Sequence, residues 1–368
     1  MHLRQLSILN YKNIEQAEPD FSPKINCFVG NNGMGKTNLL DAIFFLSFCR
    51  SHTGSFDNQL IRHGADFMMV QGFYENNDNP REFYCGLKKG NRKVFKHDKK
   101  EYDRLSEHIG ELPLVMVSPA DFVLITGGSD ERRRFADMII SQYDREYLFS
   151  LIAYNKALAQ RNALLKEHRP LDEALMEIWE EQMATYGADI FRKRKEMIAR
   201  LSSVFETYYA TVSGLAEQAA LSYESQLEVS DFAEQLRSAR QRDKVLGYSS
   251  VGIHKDDLKM MLDGYPLKRM GSQGQSKTFL ISLKLAQYSF LREHCGSKPI
   301  LLLDDVFDKL DSLRVERIIQ LVSGEDFGQI FMSDTNRNHI NEILLAFEGA
   351  FKIFNVADGV VTLNEHFK

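Results

Sequence analysis

FVGNNGMGKTNLLDAIFFLS, residues 28–47, joins the end of an apolar run to a helix pattern through a glycine-rich loop. Residues 24–29 form the apolar run and residues 3–9 alternate apolar and polar, so both read as strands. Leu39, Leu40, Ile43, Phe44 and Ser47 recur at helical spacing. Strand, glycine loop and helix follow the order a Walker A phosphate loop requires, because successive backbone N–H groups and the helix N-terminus cradle phosphate together. Gly30, Gly33 and Gly35 let the chain bend and approach phosphates where a side chain would collide. Asn31, Asn32, Met34 and Asn38 complete the segment expected to line the nucleotide. Lys36 is expected to reach the β- and γ-phosphates of ATP, and Thr37 to place its hydroxyl on a magnesium ion.

An acidic counterpart lies far downstream. In PILLLDD, residues 299–305, a buried parallel strand would carry Asp304 and Asp305 to the carboxyl edge of the sheet, beside the loop. Asp304 is expected to hold magnesium and Asp305 to orient or deprotonate the attacking water. A strand that ends on solvated acids is the plainer alternative. MGSQGQSK, residues 270–277, precedes a second amphipathic pattern through Leu280, Ile281, Leu283, Leu285 and Ala286. Ser272 and Gly274 would stand at the N-terminus of that helix as another anion site. One ATP does not need two such ends. The economical arrangement is a two-fold dimer in which Ser272 caps the γ-phosphate held by the partner's Walker A loop, so that Lys36, Asp305 and Ser272 form the catalytic set. An ordinary polar helix cap is the alternative.

The chain has 368 residues, 43% hydrophobic and 26% charged, with 25 Phe and 14 Tyr. That supply excludes intrinsic disorder and suits one large or roughly two to three ordinary domains. Lys and Arg number 46 against 51 Asp and Glu, a net charge of −5, so any nucleic-acid contact must be local. Cys27, Cys49, Cys85 and Cys295 are widely spaced with no CxxC, which argues against a disulfide scaffold or a zinc site and for buried thiols in a reducing compartment. The greasy stretch 39–49 is too short to span a membrane, and the N-terminus lacks the order of a secretion signal. A cytoplasmic location is expected.

Residues 65–99 hold MMVQGFY, REFYCGLKK and RKVFK separated by turn residues, an added strand lobe. Lys88, Lys89, Arg92, Lys93, Lys96, Lys99 and Lys100 make this ribbon basic, which suits a phosphate backbone and equally suits protection of a sheet edge. Residues 132–166 and 171–211 read as long helices joined around Pro170, with 221–246 as a further helical segment. Trp179, Met183, Tyr186, Ile190, Met197, Leu201, Val204 and Tyr208 form a stripe that buries against another helix, with Trp179 in core packing rather than beneath a base. Arg132, Arg133 and Arg134, and residues 192–195, are basic clusters with two readings, a solvated face or contact with DNA phosphates. The expected domains are an N-terminal ATPase lobe at 1–115, a helical arm at 116–247 and a C-terminal ATPase lobe at 248–368.

Together these motifs resemble the ABC-type ATPase heads of the SMC and recombination class. Residues 271–275 are similar to the signature motif, and DKLD, residues 308–311, to the D-loop. More closely, the chain resembles the RecF family of bacterial DNA-repair proteins. CRSHTGSF at 49–56, SPADF at 118–122, DERRRFAD at 130–137, HKDD at 254–257 and SQGQSK ahead of LLLDDVFDKLD carry that resemblance. It implies an α/β fold, an ABC-type head with a split nucleotide-binding lobe, an added β lobe and a long helical arm. It also implies ATP and Mg2+ as cofactors, Gln275 and Asp311 among the nucleotide-binding residues, and a weak, DNA-stimulated ATPase activity. The implied partners are duplex DNA and double to single strand junctions, a second copy bound in an ATP-dependent homodimer, and the proteins RecR and RecO. ATP would close the dimer around DNA near single-strand gaps, and slow hydrolysis would release it. A transporter's cytoplasmic ATPase subunit, or a structural DNA-binding head using ATP as an unhydrolysed switch, would carry the same motifs. Ile253 and Lys255 stand where the family usually has proline and arginine. Thr335 is the candidate γ-phosphate switch, and the Q-loop turn is expected at 119–121.

Overall fold

The computed structural model describes residues 1–76, 79–167, 172–214, 217–307, 310–335 and 350–364. The chain begins with β1 (His2–Tyr11), β2 (Ile14–Ala17) and β3 (Ile25–Val29), then α1 (Lys36–Phe48) and α2 (Asp57–Leu60). Next come β4 (Phe67–Asn76), β5 (Asn79–Lys88), β6 (Val94–His97), β7 (Lys100–Glu101) and β8 (Leu114–Val117). A helical stretch follows, α3 (Val123–Thr126), α4 (Ser129–Ser141), α5 (Arg145–Lys166) and α6 (Glu173–Ser213), then β9 (Ala219–Glu224) and α7 (Phe232–Leu246). The remainder holds β10 (Asp257–Leu262), β11 (Tyr265–Pro266), α8 (Leu267–Met270), α9 (Gln273–His294), β12 (Ile300–Asp304), α10 (Ser312–Ser323), β13 (Ile330–Asp334), β14 (Phe351–Ala357) and β15 (Val360–Leu363).

Two compact units result. One takes in residues 1–122, 211–214 and 277–368, the other 123–210 and 215–276. Residues 248–276, expected with the C-terminal lobe, therefore fold with the helical unit. The reason is β10, which pairs antiparallel with β9 from Asp257↔Glu224 to Leu262↔Ala219.

The first unit has two six-stranded sheets, ordered β2-β1-β4-β5-β6-β7 and β15-β14-β3-β13-β12-β8. In the second sheet β14, β3, β13, β12 and β8 pair in parallel, and β3, β12 and β13 are buried along their whole length, which is why they read as unbroken apolar runs. Helix α1 packs against strands of both sheets, and its apolar residues from Leu39 to Phe48 are buried on every face. It stops at Cys49, whose left-handed backbone (φ 53°) returns an N–H to Phe45. In the ribbon sheet, Asp98 and Lys99 both have positive φ (47° and 69°) between the paired His97 and Lys100, the geometry of a two-residue hairpin turn.

In the second unit the helix expected over 132–166 is broken. Helix α4 ends at Ser141, and α5 restarts where the Asp144 carboxylate caps the N–H of Tyr147. Residues 221–224, expected to open a helix, belong to the strand β9, whose burial alternates with the two-residue period of a pleated edge. Helix α6 runs 41 residues. Its buried line follows Met176, Glu180, Met183, Gly187, Ile190, Arg194, Met197, Leu201, Phe205 and Tyr209. Tyr186, Val204 and Tyr208 are half-buried beside that line rather than on it, and so is Trp179. At Gly187 a Cβ would meet the Phe232 ring at 2.6 Å, so glycine lets α7 approach. The gap in the apolar stripe between Ile190 and Met197 is filled by a buried charge, Arg194.

Candidate nucleotide-binding site

The loop after β3 is shaped by contacts that exclude side chains. A Cβ on Gly30 would lie 2.2 Å from the carbonyl oxygen of Val356 on the neighbouring β14. Gly33 and Gly35 have φ of +80° and +112°, and a Cβ on Gly35 would meet the Asn13 side chain at 2.9 Å. The loop is pinned from outside as well. Gly359 donates its N–H to the carbonyl of Met34 at 2.9 Å, and Asn38 donates to Asn13 Oδ1 at 2.7 Å. Asn31, Asn32 and Gly33 are exposed at the crest, while Lys36 is 4% exposed. Its Nζ donates to the carbonyls of Gly30 (2.8 Å) and Asn31 (3.0 Å), so the ammonium turns inward over the loop, where a phosphate would meet it.

The acidic end of β12 comes to this loop although β13 lies between β12 and β3. Thr37, 267 positions away in sequence, donates its hydroxyl to Asp304 Oδ1 at 3.0 Å. Ser333 on the intervening β13 donates to the same oxygen at 2.7 Å and accepts the N–H of Asp305 at 3.1 Å. One hydroxyl thus ties both acids to the middle strand. Burial pushes the Asp304 carboxyl above the ordinary range, opposed by the Ser333 and Thr37 hydrogen bonds and by the charge of Lys36. Asp305 is half-buried with a left-handed backbone (φ 46°), which turns the chain sharply after the strand. The hydroxyl and carboxylate are hard oxygen donors of the kind magnesium takes. Among the described residues no three His, Cys, Asp or Glu cluster to hold a metal; Thr37 and Asp304, joined by their hydrogen bond, are the oxygen donors that could hold such an ion. Gly30 and Gly35 let the loop pack closely against β14 and the Asn13 side chain.

The 272–275 segment forms a reciprocal helix cap. Gln275 donates its N–H to Ser272 Oγ at 3.2 Å, and Ser272 donates its N–H to Gln275 Oε1 at 2.7 Å. Ser272 is exposed, and Gly274 half-buried. Asp311 caps α10, accepting the N–H of Arg314 at 2.9 Å. Asp308 and Lys309 of the DKLD stretch, and Asn336 after Thr335, lie outside the described residues; Thr335 itself is exposed.

The model of the RecF/RecN/SMC N-terminal domain family matches residues 2–362. The chain belongs to that family. It is 57% identical to the DNA replication and repair protein RecF of Phocaeicola vulgatus, covering 98% of both chains. It is 50% identical to the protein of the same name from Porphyromonas gingivalis, covering 98% of this chain and 100% of that one. A solved structure of the recombination mediator protein RecF-ATP in the RecFOR pathway is 30% identical with a TM-score of 0.89, over 99% of this chain and 97% of its own. An Smc head domain from Pyrococcus furiosus, 18% identical with a TM-score of 0.61 over 99% of this chain and 96% of its own, shares the fold. The architecture is that of an ABC-type ATPase head.

Two polar clusters of this RecF/SMC-family head follow no motif of its sequence. Asp41, 0% exposed in α1, accepts from Tyr11 Oη (2.7 Å), Ser51 Oγ (2.8 Å) and the N–H of His52 (2.7 Å), and pairs with Lys12 at 2.6 Å. A lone acid inside an apolar helix was the visible signal. That cluster fixes the SHTG turn of residues 51–54. At the expected Q-loop turn, Asp121 pairs with Lys284 of α9 at 2.7 Å and with His52 at 3.4 Å. Burial alone would raise the Asp121 carboxyl, but Lys284 and His52 hold it down at about 2, so it is ionised at neutral pH.

The basic clusters are mostly engaged within the second unit. Arg132 forks onto Asp257 at 2.6 and 3.1 Å, Arg133 donates to the carbonyl of Asp256, and Lys193 pairs with Asp144 at 2.8 Å. Arg194, 2% exposed, is neither solvated nor open to DNA. DERRRFAD and HKDD are therefore partners in one buried ionic network. Arg134, Arg192 and Lys195 remain at the surface, each paired with a nearby acid.

Proposed function

We propose that this chain is an ATP-dependent DNA-binding ATPase of recombinational repair and replication maintenance, in which ATP joins two copies around duplex DNA near a single-strand gap and slow hydrolysis releases it. The full-length likeness to proteins called RecF and to a RecF-ATP structure supports this reading over a transporter subunit. The hydrogen bond from Thr37 to Asp304 carries it, because it unites the phosphate loop and the acidic strand end in one site.

In each head the N–H groups of residues 30–37 and the Lys36 ammonium bind the triphosphate, with Thr37 and Asp304 holding its magnesium. Magnesium supplies charge neutralisation between the phosphate oxygens. Asp305 orients the attacking water and accepts its proton, while Ser272 of a second copy donates its hydroxyl to the γ-phosphate. The Ser272–Gln275 cap suits that role, since the oxygen accepts an internal N–H and its own proton stays available. A cleft of about 950 Å³ lined by Lys12, Asn13, Asn58, Gln59, Arg62 and His63 adjoins the loop through Asn13, and we place the ribose and base there.

Sedimentation with and without ATP and a gapped duplex tests nucleotide coupling, dimerisation and DNA binding together. ATP is expected to convert the protein to a dimer that co-sediments with the duplex; a monomer under all conditions would contradict the reading. Ser272→Arg is expected to keep nucleotide binding and abolish the ATP-induced dimer, and an intact dimer would contradict the shared site.

The exposed Lys88, Lys89, Arg92, Lys99 and Lys100 of the ribbon sheet are the proposed track for a DNA backbone; Lys93 is instead held by Asp57 and the carbonyl of Cys49. Replacing Lys99 and Lys100 by Glu should weaken DNA binding at low salt. It should also flatten the log–log salt dependence by about two phosphate contacts, a slope change of roughly 2. An unchanged slope would leave these residues as guards of the β7 edge.

A further inference from the structure

The reciprocal cap at Ser272 is tethered from behind. Gln275 donates its Nε2 to Glu217 Oε1 at 2.6 Å, and the other oxygen of Glu217 accepts the Tyr209 hydroxyl at 2.5 Å. Tyr209 is 1% exposed in the last turns of α6, so its ring is a fixed anchor. Glu217 is half-buried and lies a few residues beyond the end of that helix. The chain of contacts runs Tyr209, Glu217, Gln275, Ser272, all within the second unit.

This arrangement determines the orientation of the Gln275 amide. Its oxygen accepts the Ser272 N–H and its nitrogen faces a carboxylate. A flipped amide would set NH2 against N–H on one side and oxygen against carboxylate on the other. With the amide locked, Ser272 is held in the N-cap conformation in which its oxygen accepts from Gln275, leaving its hydroxyl proton free to be donated elsewhere. Glu217 lies beyond the end of α6 and is not part of its buried line.

We propose that Glu217 is a positioning residue for the γ-phosphate cap: it holds Gln275, and through it Ser272, in the geometry that a second copy's nucleotide meets. The inference rests on the shared-site reading above. It makes the long helix a mechanical partner of the cap, because the anchor of Glu217 belongs to α6.

The test measures ATP-induced dimerisation by sedimentation, nucleotide affinity of the single head by titration with a fluorescent ATP analogue, and thermal unfolding. Glu217→Ala removes both hydrogen bonds, one of them from the neutral Gln275 amide to a charged acceptor, and should weaken the ATP-induced dimer about tenfold. Its single-head affinity, set by Lys36, should be unchanged. Glu217→Gln keeps an oxygen for Gln275 and a polar group for Tyr209, and should restore the dimer to within about threefold of the parent. If Glu217→Ala fails to fold, Tyr209→Phe removes only the outer hydroxyl and should shift dimerisation in the same direction by roughly threefold. Ser272→Arg runs alongside. A blocked Ser272→Arg dimer with an unaffected Glu217→Ala or Tyr209→Phe dimer overturns the positioning role and leaves the shared site standing. A normal dimer from Ser272→Arg overturns both.

Discussion

Asp305→Asn will bind ATP with the affinity of the parent protein yet turn it over about a hundredfold more slowly, or worse. The substitution keeps size and shape, and asparagine tolerates the left-handed backbone that Asp305 adopts. Its N–H can still donate to Ser333, so the turn after β12 should survive. What disappears is the negative charge that orients water and takes up its proton. Loss of one well-aimed electrostatic stabiliser costs roughly 3 to 4 kcal/mol in the transition state. Lys36→Ala differs in kind, since it removes the cation that meets the phosphates in ground and transition states alike, so binding and hydrolysis should fall together. Single-turnover phosphate release at saturating ATP separates the two. An Asp305→Asn protein with parental turnover would reject the catalytic assignment, and a loss confined to affinity would reject it equally.

Arg194→Ala will destabilise the helical unit by about 3 to 5 kcal/mol, the cost of leaving buried carboxylates without their counter-charge. The guanidinium donates to Asp137 at 2.7 and 3.0 Å, to the carbonyl of Ile253 at 2.9 Å and to Asp256 at 3.2 Å. Tyr147 and Tyr223 close the same network through Asp137 and Asp256. Burial already pushes the Asp256 carboxyl above its ordinary range with Arg194 beside it. Without that partner it will tend to take up a proton in the folded state. A folded-state pKa raised above the unfolded one favours the folded protein below it and loses that advantage as pH rises. The deficit of the variant should therefore grow as pH climbs through the carboxylate range. Urea unfolding at acid and neutral pH measures this, and a loss under about 1 kcal/mol at neutral pH would mean the network relaxes freely.

Arg194 also shows where the sequence stops being informative. Periodicity places α6 and part of its buried line, Met183, Ile190, Met197 and Leu201, because apolar residues recur every three or four positions. It has no means of recognising an arginine as core, since the partners that neutralise it come from α4 and from the turn before β10. Glu180 is the same case, buried against Arg161 and Arg240. The phosphate loop and the acidic strand end were legible because their chemistry is local, with each residue type explained by its neighbours in the chain. Ser333 was not, because its role depends on β13 lying between β12 and β3. The strand β9 is not legible in the sequence, since six residues between helix-rich stretches carry little pattern of their own and pairing with β10 makes them a strand. Asp41 could have been found, as an acid within an otherwise greasy helix must be satisfied by something.

Mixing two disabled proteins tests the shared site most directly. Lys36→Ala lacks the phosphate cation and Ser272→Arg lacks the cap, so neither alone should sediment as a dimer with ATP. A mixed pair contains one site in which both halves are intact, Lys36 from one copy and Ser272 from the other. An equimolar mixture with ATP should form dimers that neither variant forms alone. A mixture that remains as monomeric as its components, or either variant dimerising by itself, would contradict it.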